Sequence, residues 1–281
     1  MEIIRTAAEI KEITSALSKQ KIIGFVPTMG ALHEGHLSLI NKSKQHCDIT
    51  VCSIFVNPAQ FNNANDFEKY PVTTDTDIAL LKSVGCDILF LPTVSEIYPP
   101  GLENKIYELG NLDEIWEGLH RPGHFQGVCK VMDRLLDIVQ THHLWMGQKD
   151  FQQCLVIVKL LELTNRKGIL FHRIETVREA SGLALSSRNK RLSPTGKENA
   201  KAIFEVLKKI KETFQSENFV NLCAEGKKYL LQHGFDEVEY LAIADAENLL
   251  LAEEYQHDHQ YVAIAAAWIE GVRLIDNLLL S

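Results

Sequence analysis

The stretch VPTMGALHEGHLSLI, residues 26–40, decides how the rest of the chain is read. It emerges from an apolar run, IIGFVPT (22–28), that reads as a buried strand, and passes through a Pro-Thr-Met-Gly turn. It then enters EGHLSLINKSKQHC, where apolar Leu37, Leu39 and Ile40 and polar Lys42 and Lys44 suit a helix. A strand, a tight turn and a helix start make a natural anion site, because the helix N-terminus presents free N–H groups and a partial positive charge. Gly30 and Gly35 would let the backbone approach a phosphate closely. His33 and His36, at i and i+3, point to the same side. Both then face whatever sits at that terminus, where an imidazole can stabilise charge developing on a triphosphate. The competing reading is that the two histidines are solvated or simply cap the helix.

Outward from this stretch the pattern repeats. ITVCSIFV (49–56) and CDILFLP (86–92) read as further buried strands. TDTDIALLKSVG (74–85) reads as a helix with Thr74 or Asp75 as cap and Gly85 as stop. Continuous apolar strands alternating with helices predict a Rossmann-like α/β fold, a parallel sheet with helices on both faces. The opening MEIIRTAAEIKEI reads as an amphipathic helix rather than a signal peptide. After about residue 176 the pattern changes. SPTGKENAKAIFEVLKKIKETF reads as one helix with Ser193 as cap and Pro194 at its first position, and a second helix ends at Gly234. VEYLAIAD, YVAIAAAWI and VRLIDNLL follow as strands, the last two joined by a Glu270-Gly271 hairpin. The expected domains are therefore 1–176 and a smaller C-terminal α+β domain over 177–281, with VREASGLALSSRN (177–189) at the junction.

Composition narrows the classes of function. The 281 residues carry a net charge of -8, with 46% hydrophobic and 23% charged residues. No basic stretch resembles a nucleic-acid footprint, so no nucleic-acid partner is expected. No apolar run approaches the roughly 20 residues of a membrane span. The six cysteines form no CxxC pair and read as reduced core residues. A soluble cytoplasmic protein is expected.

The histidine stretch resembles the HxGH motif of the nucleotidyltransferase superfamily. More narrowly, PTMGALHEGH resembles the signature of the pantothenate synthetase (pantoate–β-alanine ligase) family. FVNPAQF (55–61), RPGHFQGV (121–128), GQKDFQQ (147–153), REASGLALSSRN (178–189) and RLIDN (273–277) fall in that family's order and spacing. The resemblance covers essentially the whole chain. It implies an ATP-dependent ligase that joins pantoate to β-alanine through a pantoyl-adenylate, releasing pyrophosphate and AMP. It implies a homodimer, and Mg2+ accompanying the triphosphate. The metal's protein ligands are undefined: Asp75 and Asp77 suit a second shell or equally a helix start.

By that resemblance His36, His33 and Lys149 carry the chemistry. Met29, Gly30, Gly147, Gln148, Asp150, Val177, Leu185, Ser186, Ser187 and Arg188 join them around ATP. Two hydroxyls and a guanidinium are good phosphate donors, although Ser-Ser-Arg-Asn also reads as a polar turn before a capped helix. Likewise Lys149 reads as a surface lysine, and Asp150 as a helix cap. In the family, the Ser186–Arg188 segment is the counterpart of the flexible phosphate loop of class I tRNA synthetases. The resemblance places Gln60, Gln153, Asn57 and Arg121 on the acid and amine substrates; an amide offers both donor and acceptor. Three positions depart from the family pattern: Ser181 stands where an acid is usual, and Lys130 and Arg134 replace a Thr and a Lys. The alternative functions are a nucleotidyltransferase acting on a small phosphorylated metabolite, or a non-catalytic nucleotide sensor.

Overall fold

The structure, a computed structural model, describes residues 1–61, 67, 68 and 70–280. The chain divides into two compact units, Met1–Gly147 with Gln153–Ile174, and Gln148–Gln152 with Glu175–Ser281. Among the described residues no helix is long and apolar enough to cross a membrane.

The first unit is built on a six-stranded parallel sheet. Its strands are β1 (Glu2–Ile4), β2 (Ile23–Thr28), β3 (Ile49–Ile54), β4 (Ile88–Phe90), β5 (His143–Gly147) and β6 (Leu170–Ile174), in the order β1-β4-β3-β2-β5-β6. Side chains alternate across a strand, and here each face has its own core. Phe25, Val51, Phe90 and Leu144 pack with residues of the helices Ala7–Leu17, His124–Ile138 and Phe151–Leu163. Val26, Cys52, Leu89 and Trp145 pack with residues of Glu34–His46 and Thr74–Ser83. The expected parallel sheet covered on both faces is what the chain forms.

Strand order reverses between β2 and β5, and open α/β sheets bind ligands beyond the carboxyl ends of strands at such a reversal. The turn leading to His33 leaves the end of β2, and β5 ends at Gly147. Gly24, in the middle of β2, lets the histidine-bearing helix close onto the sheet. A Cβ there would lie 2.2 Å from Ser43 Oγ and 2.8 Å from Cys47 Sγ.

Three local expectations are corrected. Glu2–Ile4 is not the start of a helix but the edge strand, paired in parallel with Ile88–Phe90, and the helix begins at Ala7 behind Thr6, whose hydroxyl accepts from Glu9 N–H. The cap of the Thr74–Ser83 helix is Thr73, not Thr74 or Asp75. The single helix expected after Ser193 is two, Pro194–Ala200 and Ala202–Thr213.

The second unit stacks these two helices and Phe219–Gln232 against an antiparallel sheet of β7 (Glu237–Asp245), β8 (Tyr261–Ile269) and β9 (Val272–Leu279). Glu270 (φ 51°) and Gly271 (φ 68°) make the β8–β9 turn, with both central residues left-handed as a type I′ hairpin requires. Glu270 also accepts from the Ser193 N–H at 2.8 Å and from the Ser193 hydroxyl at 2.5 Å, tying the hairpin to the helix start.

Replacing Gly24 by Ala should lower stability by about 2 kcal/mol, within the usual cost of overpacking a dense core. Urea unfolding should show a lower midpoint with an unchanged slope; an unmoved midpoint would mean the helix is not seated as closely as described.

Candidate active site

The turn between β2 and the Glu34–His46 helix is held by a buried carboxylate. Gly30 (φ 84°) and Ala31 (φ 49°) are consecutive left-handed residues. Successive N–H groups in such turns converge into a concavity that attracts anions. Here the anion is the side chain of Asp77, only 1% exposed. Its Oδ2 accepts from Ala31 N–H at 2.9 Å, and its Oδ1 from Leu32 N–H at 2.8 Å and from the Thr73 hydroxyl at 3.1 Å. Gly30 is fixed by this contact, since a Cβ would lie 3.1 Å from Asp77 Oδ2 and 3.0 Å from Ile54 Cγ2. Sequence reasoning placed Asp77 beside a metal or at a helix start; the clamp spans 46 residues and has no local signal.

The turn delivers His33 to the N-cap position. His33 Nδ1 accepts from Gly35 N–H at 3.2 Å, and His36 Nδ1 accepts from His33 N–H at 3.3 Å. The two imidazoles thus form a reciprocal capping box, with ring centroids 4.1 Å apart. The capping and phosphate readings of this motif are therefore compatible. A ring nitrogen that accepts carries no proton, so the neutral imidazole places its proton on Nε2. Both Nδ1 lone pairs are thus committed to the cap at a helix N-terminus.

Asn57, the cap of a short turn over Pro58–Gln60, is 1% exposed. Its Nδ2 donates to Gln60 Oε1 and to the Gly127 carbonyl, both at 3.1 Å. Its Oδ1 accepts from Ala59 N–H at 3.2 Å and from the Tyr98 hydroxyl at 2.8 Å. These four bonds saturate the amide, so Asn57 orients Gln60 and has no donor or lone pair left for a substrate. Gln60 Nε2 lies 2.9 Å from Met29 Sδ, which joins the glutamine to the turn that precedes His33. The Gln60 carbonyl is 2.8 Å from His124 Nδ1, and Arg121 approaches His124 Nε2 at 3.1 Å. A carbonyl accepts and a guanidinium donates, so His124 carries its proton on Nδ1, the opposite tautomer to the other pair. Arg121 also lies 3.7 Å from Glu117. Gln153 is half-buried in the first turn of its helix. The first unit thus gathers Met29, Gly30, Asn57 and Gln60 with Arg121 at their edge.

In the second unit, Gln148–Asp150 form a tight turn in which Lys149 Nζ lies 4.0 Å from Asp150 Oδ1. Residues 177–185 make a narrow ribbon: Leu185 N–H donates to the Val177 carbonyl at 3.0 Å and Glu179 N–H to Leu183 at 2.8 Å, with Gly182 (φ 93°) at the bend. The ribbon leads to Ser186, whose hydroxyl accepts from Arg188 N–H at 3.2 Å and caps the turn Ser187–Arg191. Ser187 is buried, while Ser186 and Arg188 are half-buried.

Residues 2–279 match the family model described as pantoate-beta-alanine ligase. The chain belongs to this family. Members join pantoate to β-alanine, and the chain is an enzyme of that class. A pantothenate synthetase of Cytophaga hutchinsonii is 46% identical over 264 residues, covering 93% of each chain. The crystal structure of pantothenate synthetase from Thermus thermophilus superposes with a TM-score of 0.91 at 38% identity, covering 100% of this chain and 99% of that one. A pantoate-beta-alanine ligase from Francisella tularensis, solved with beta-gamma ATP and beta-alanine, gives a TM-score of 0.81 at 37% identity, covering 100% and 98%.

The departures from the family pattern have local explanations. The Ser181 hydroxyl accepts from Leu183 N–H at 3.4 Å, closing the turn at the bend of the ribbon. Lys130 Nζ donates to Asn104 Oδ1 at 3.1 Å and sits 5.4 Å from the Tyr98 ring centroid. Arg134 Nε donates to the Ile97 carbonyl at 3.0 Å.

Asp77→Ala would strand two buried N–H groups, each costing about 1–3 kcal/mol. A loss of about 3 kcal/mol in denaturant unfolding is expected, with adenylation impaired because the turn is no longer held. A fully stable variant would show that the clamp is dispensable.

Proposed function

We propose that the chain forms pantothenate through a pantoyl-adenylate. The pantoate carboxylate attacks the α-phosphate of ATP and pyrophosphate leaves. The β-alanine amine then attacks the acyl carbon, the C–O bond to AMP breaks with its electron pair going to AMP, and the amine gives up a proton. Activation is needed because a carboxylate's own leaving group would be oxide.

The observation that carries this reading is the reciprocal cap of His33 and His36, which commits both Nδ1 lone pairs to the helix start and leaves the proton of a neutral ring on Nε2. Fixed donors aimed at charge that develops in the transition state are among the largest catalytic terms. On this reading Lys149 meets the phosphates with Ser186, Ser187 and Arg188. Met29, Gly30, Gly147, Gln148, Asp150 and the backbones of Val177 and Leu185 complete the ATP contacts. Gln60 and Gln153 hold pantoate, and Arg121 holds anionic groups. Catalysis rests on positioning and charge stabilisation, without an enzyme nucleophile. Burial pushes the Cys86 and Cys129 thiols up to about 12, so they stay protonated and inert.

Mg2+ would come with ATP, held by phosphate oxygens that suit this hard cation. Asp77 is an unsuitable protein ligand because both its oxygens hold the turn, and Asp75 stands exposed. Among the described residues no group of three or more His, Cys, Asp or Glu could hold a metal ion. No step of the reaction as proposed runs through the ion. From the family resemblance we also propose a homodimeric, cytoplasmic enzyme; light scattering tests the first point.

Pyrophosphate exchange decides the chemistry. Label should enter ATP with pantoate present and β-alanine absent. Exchange that requires β-alanine would indicate a concerted or amine-first route. Exchange without pantoate would point to a different acceptor, and ATP binding without turnover to a sensor.

His36→Ala is the informative histidine variant, because alanine removes the ring donor while the Gly35 N–H keeps its bond to His33 Nδ1. It should fold normally yet slow exchange by about two to three orders of magnitude, the usual effect of losing one such donor. Near-normal exchange would remove His36 from the chemistry. Gln153→Ala should weaken pantoate much more than ATP in equilibrium titrations; equal losses would make Gln153 structural.

A further inference from the structure

Asp276 and Asn277 are neighbours on β9, 5% and 2% exposed, and they grip different segments of the second unit. Asn277 Nδ2 donates to two successive carbonyls, Gln148 O and Lys149 O, each at 2.9 Å. Its Oδ1 accepts from Gln148 Nε2 at 3.3 Å. Asp276 receives Arg178 in a bidentate pair at 2.6 and 2.9 Å. The same guanidinium donates to the Gly182 and Asn277 carbonyls, both at 3.1 Å, and lies 4.1 Å from the Phe204 ring centroid. One dipeptide thus holds the Gln148–Asp150 turn through Asn277 and the ribbon leading to Ser186 through Asp276.

We propose that Asn277 is a positioning residue for ATP activation, acting through the backbone of Lys149; this rests on the reading that Lys149 meets the phosphates. The turn over Gln148–Asp150 is three residues long and cannot fix itself. A lysine head sits at the end of a flexible stem, so its reach is useful only if the Cα it starts from is held. Two charge-free donors from a buried amide hold it. The Asp276–Arg178 pair anchors the companion loop to the adjacent residue, so both phosphate-contacting segments of this unit share one origin.

Asn277→Asp tests this, because it keeps the shape but replaces the one NH2 group that donates to both carbonyls by an oxygen that faces them. ATP titrations and pyrophosphate exchange should show a tenfold to hundredfold loss, roughly the cost of misplacing a catalytic group by an ångström, with the pantoate KM little changed. The decisive measurement is the double-mutant cycle with Lys149→Ala. If Asn277 acts through Lys149, Asn277→Asp in that background should cost no more than about twofold further in ATP affinity. Losses that multiply independently, or that weaken pantoate as much as ATP, would make Asn277 a merely structural residue and overturn the proposal. Should Asn277→Asp not fold, Asn277→Ser, which keeps one hydroxyl donor, runs the same cycle with a smaller expected loss. Pantoate-independent behaviour of the unmodified enzyme would defeat the ligase reading, whereas the ATP titrations decide Asn277 on their own.

Discussion

The contact between Asp77 and the N–H groups of Ala31 and Leu32 is the constraint on which the histidine-bearing end of the first unit depends. A non-glycine residue in the left-handed region costs about 1–2 kcal/mol, and Ala31 occupies it. Two charge-assisted hydrogen bonds in a dry environment offset that cost. Without them the chain leaving β2 has no reason to bend where it does, and His33 would not reach the cap. Asp77 belongs to a helix packed on the same face of the sheet as the histidine helix, so the seat of one helix sets the start of another.

A comparable logic governs the second unit, with different chemistry. There a strand, rather than a helix, supplies the fixed point. A buried carboxylate paired with one arginine and a buried amide paired with two carbonyls face different partners from adjacent positions. Both arrangements use groups that are costly to bury alone and are therefore fully partnered.

Much of this was legible in the sequence, for stated reasons. The apolar runs at 22–28 and 49–56 and the three C-terminal strands carry strong periodic signals bounded by turn residues, and all form. The Glu270-Gly271 turn was legible because few residue pairs tolerate two left-handed positions. The three-residue strand Glu2–Ile4 was not, since it is too short to show a period and owes its pairing to Ile88–Phe90. The break at Lys201 was hidden because the apolar spacing of 200, 203, 204 and 207 continues through it. Among candidate site residues, the histidines were visible from their spacing between strand and helix. The use of Asp77, the saturation of Asn57 by Tyr98 and Gly127, and the hold of Asn277 on residues 148 and 149 all depend on partners tens of residues away. Nothing in a linear pattern announces them.

The cap bonds that occupy the two imidazoles before the Glu34–His46 helix bear on metals as well. Neutral imidazole is a common ligand of zinc and copper, and these two ring centroids lie 4.1 Å apart. To ligate, a ring nitrogen must offer a lone pair, while the other nitrogen donates its proton outward. Here the lone pairs at Nδ1 are already engaged by backbone N–H groups. A metal ion bound through Nδ1 would have to displace those bonds and open the first turn of the helix. The cap that starts the helix therefore also sets a cost on metal capture by these nitrogens.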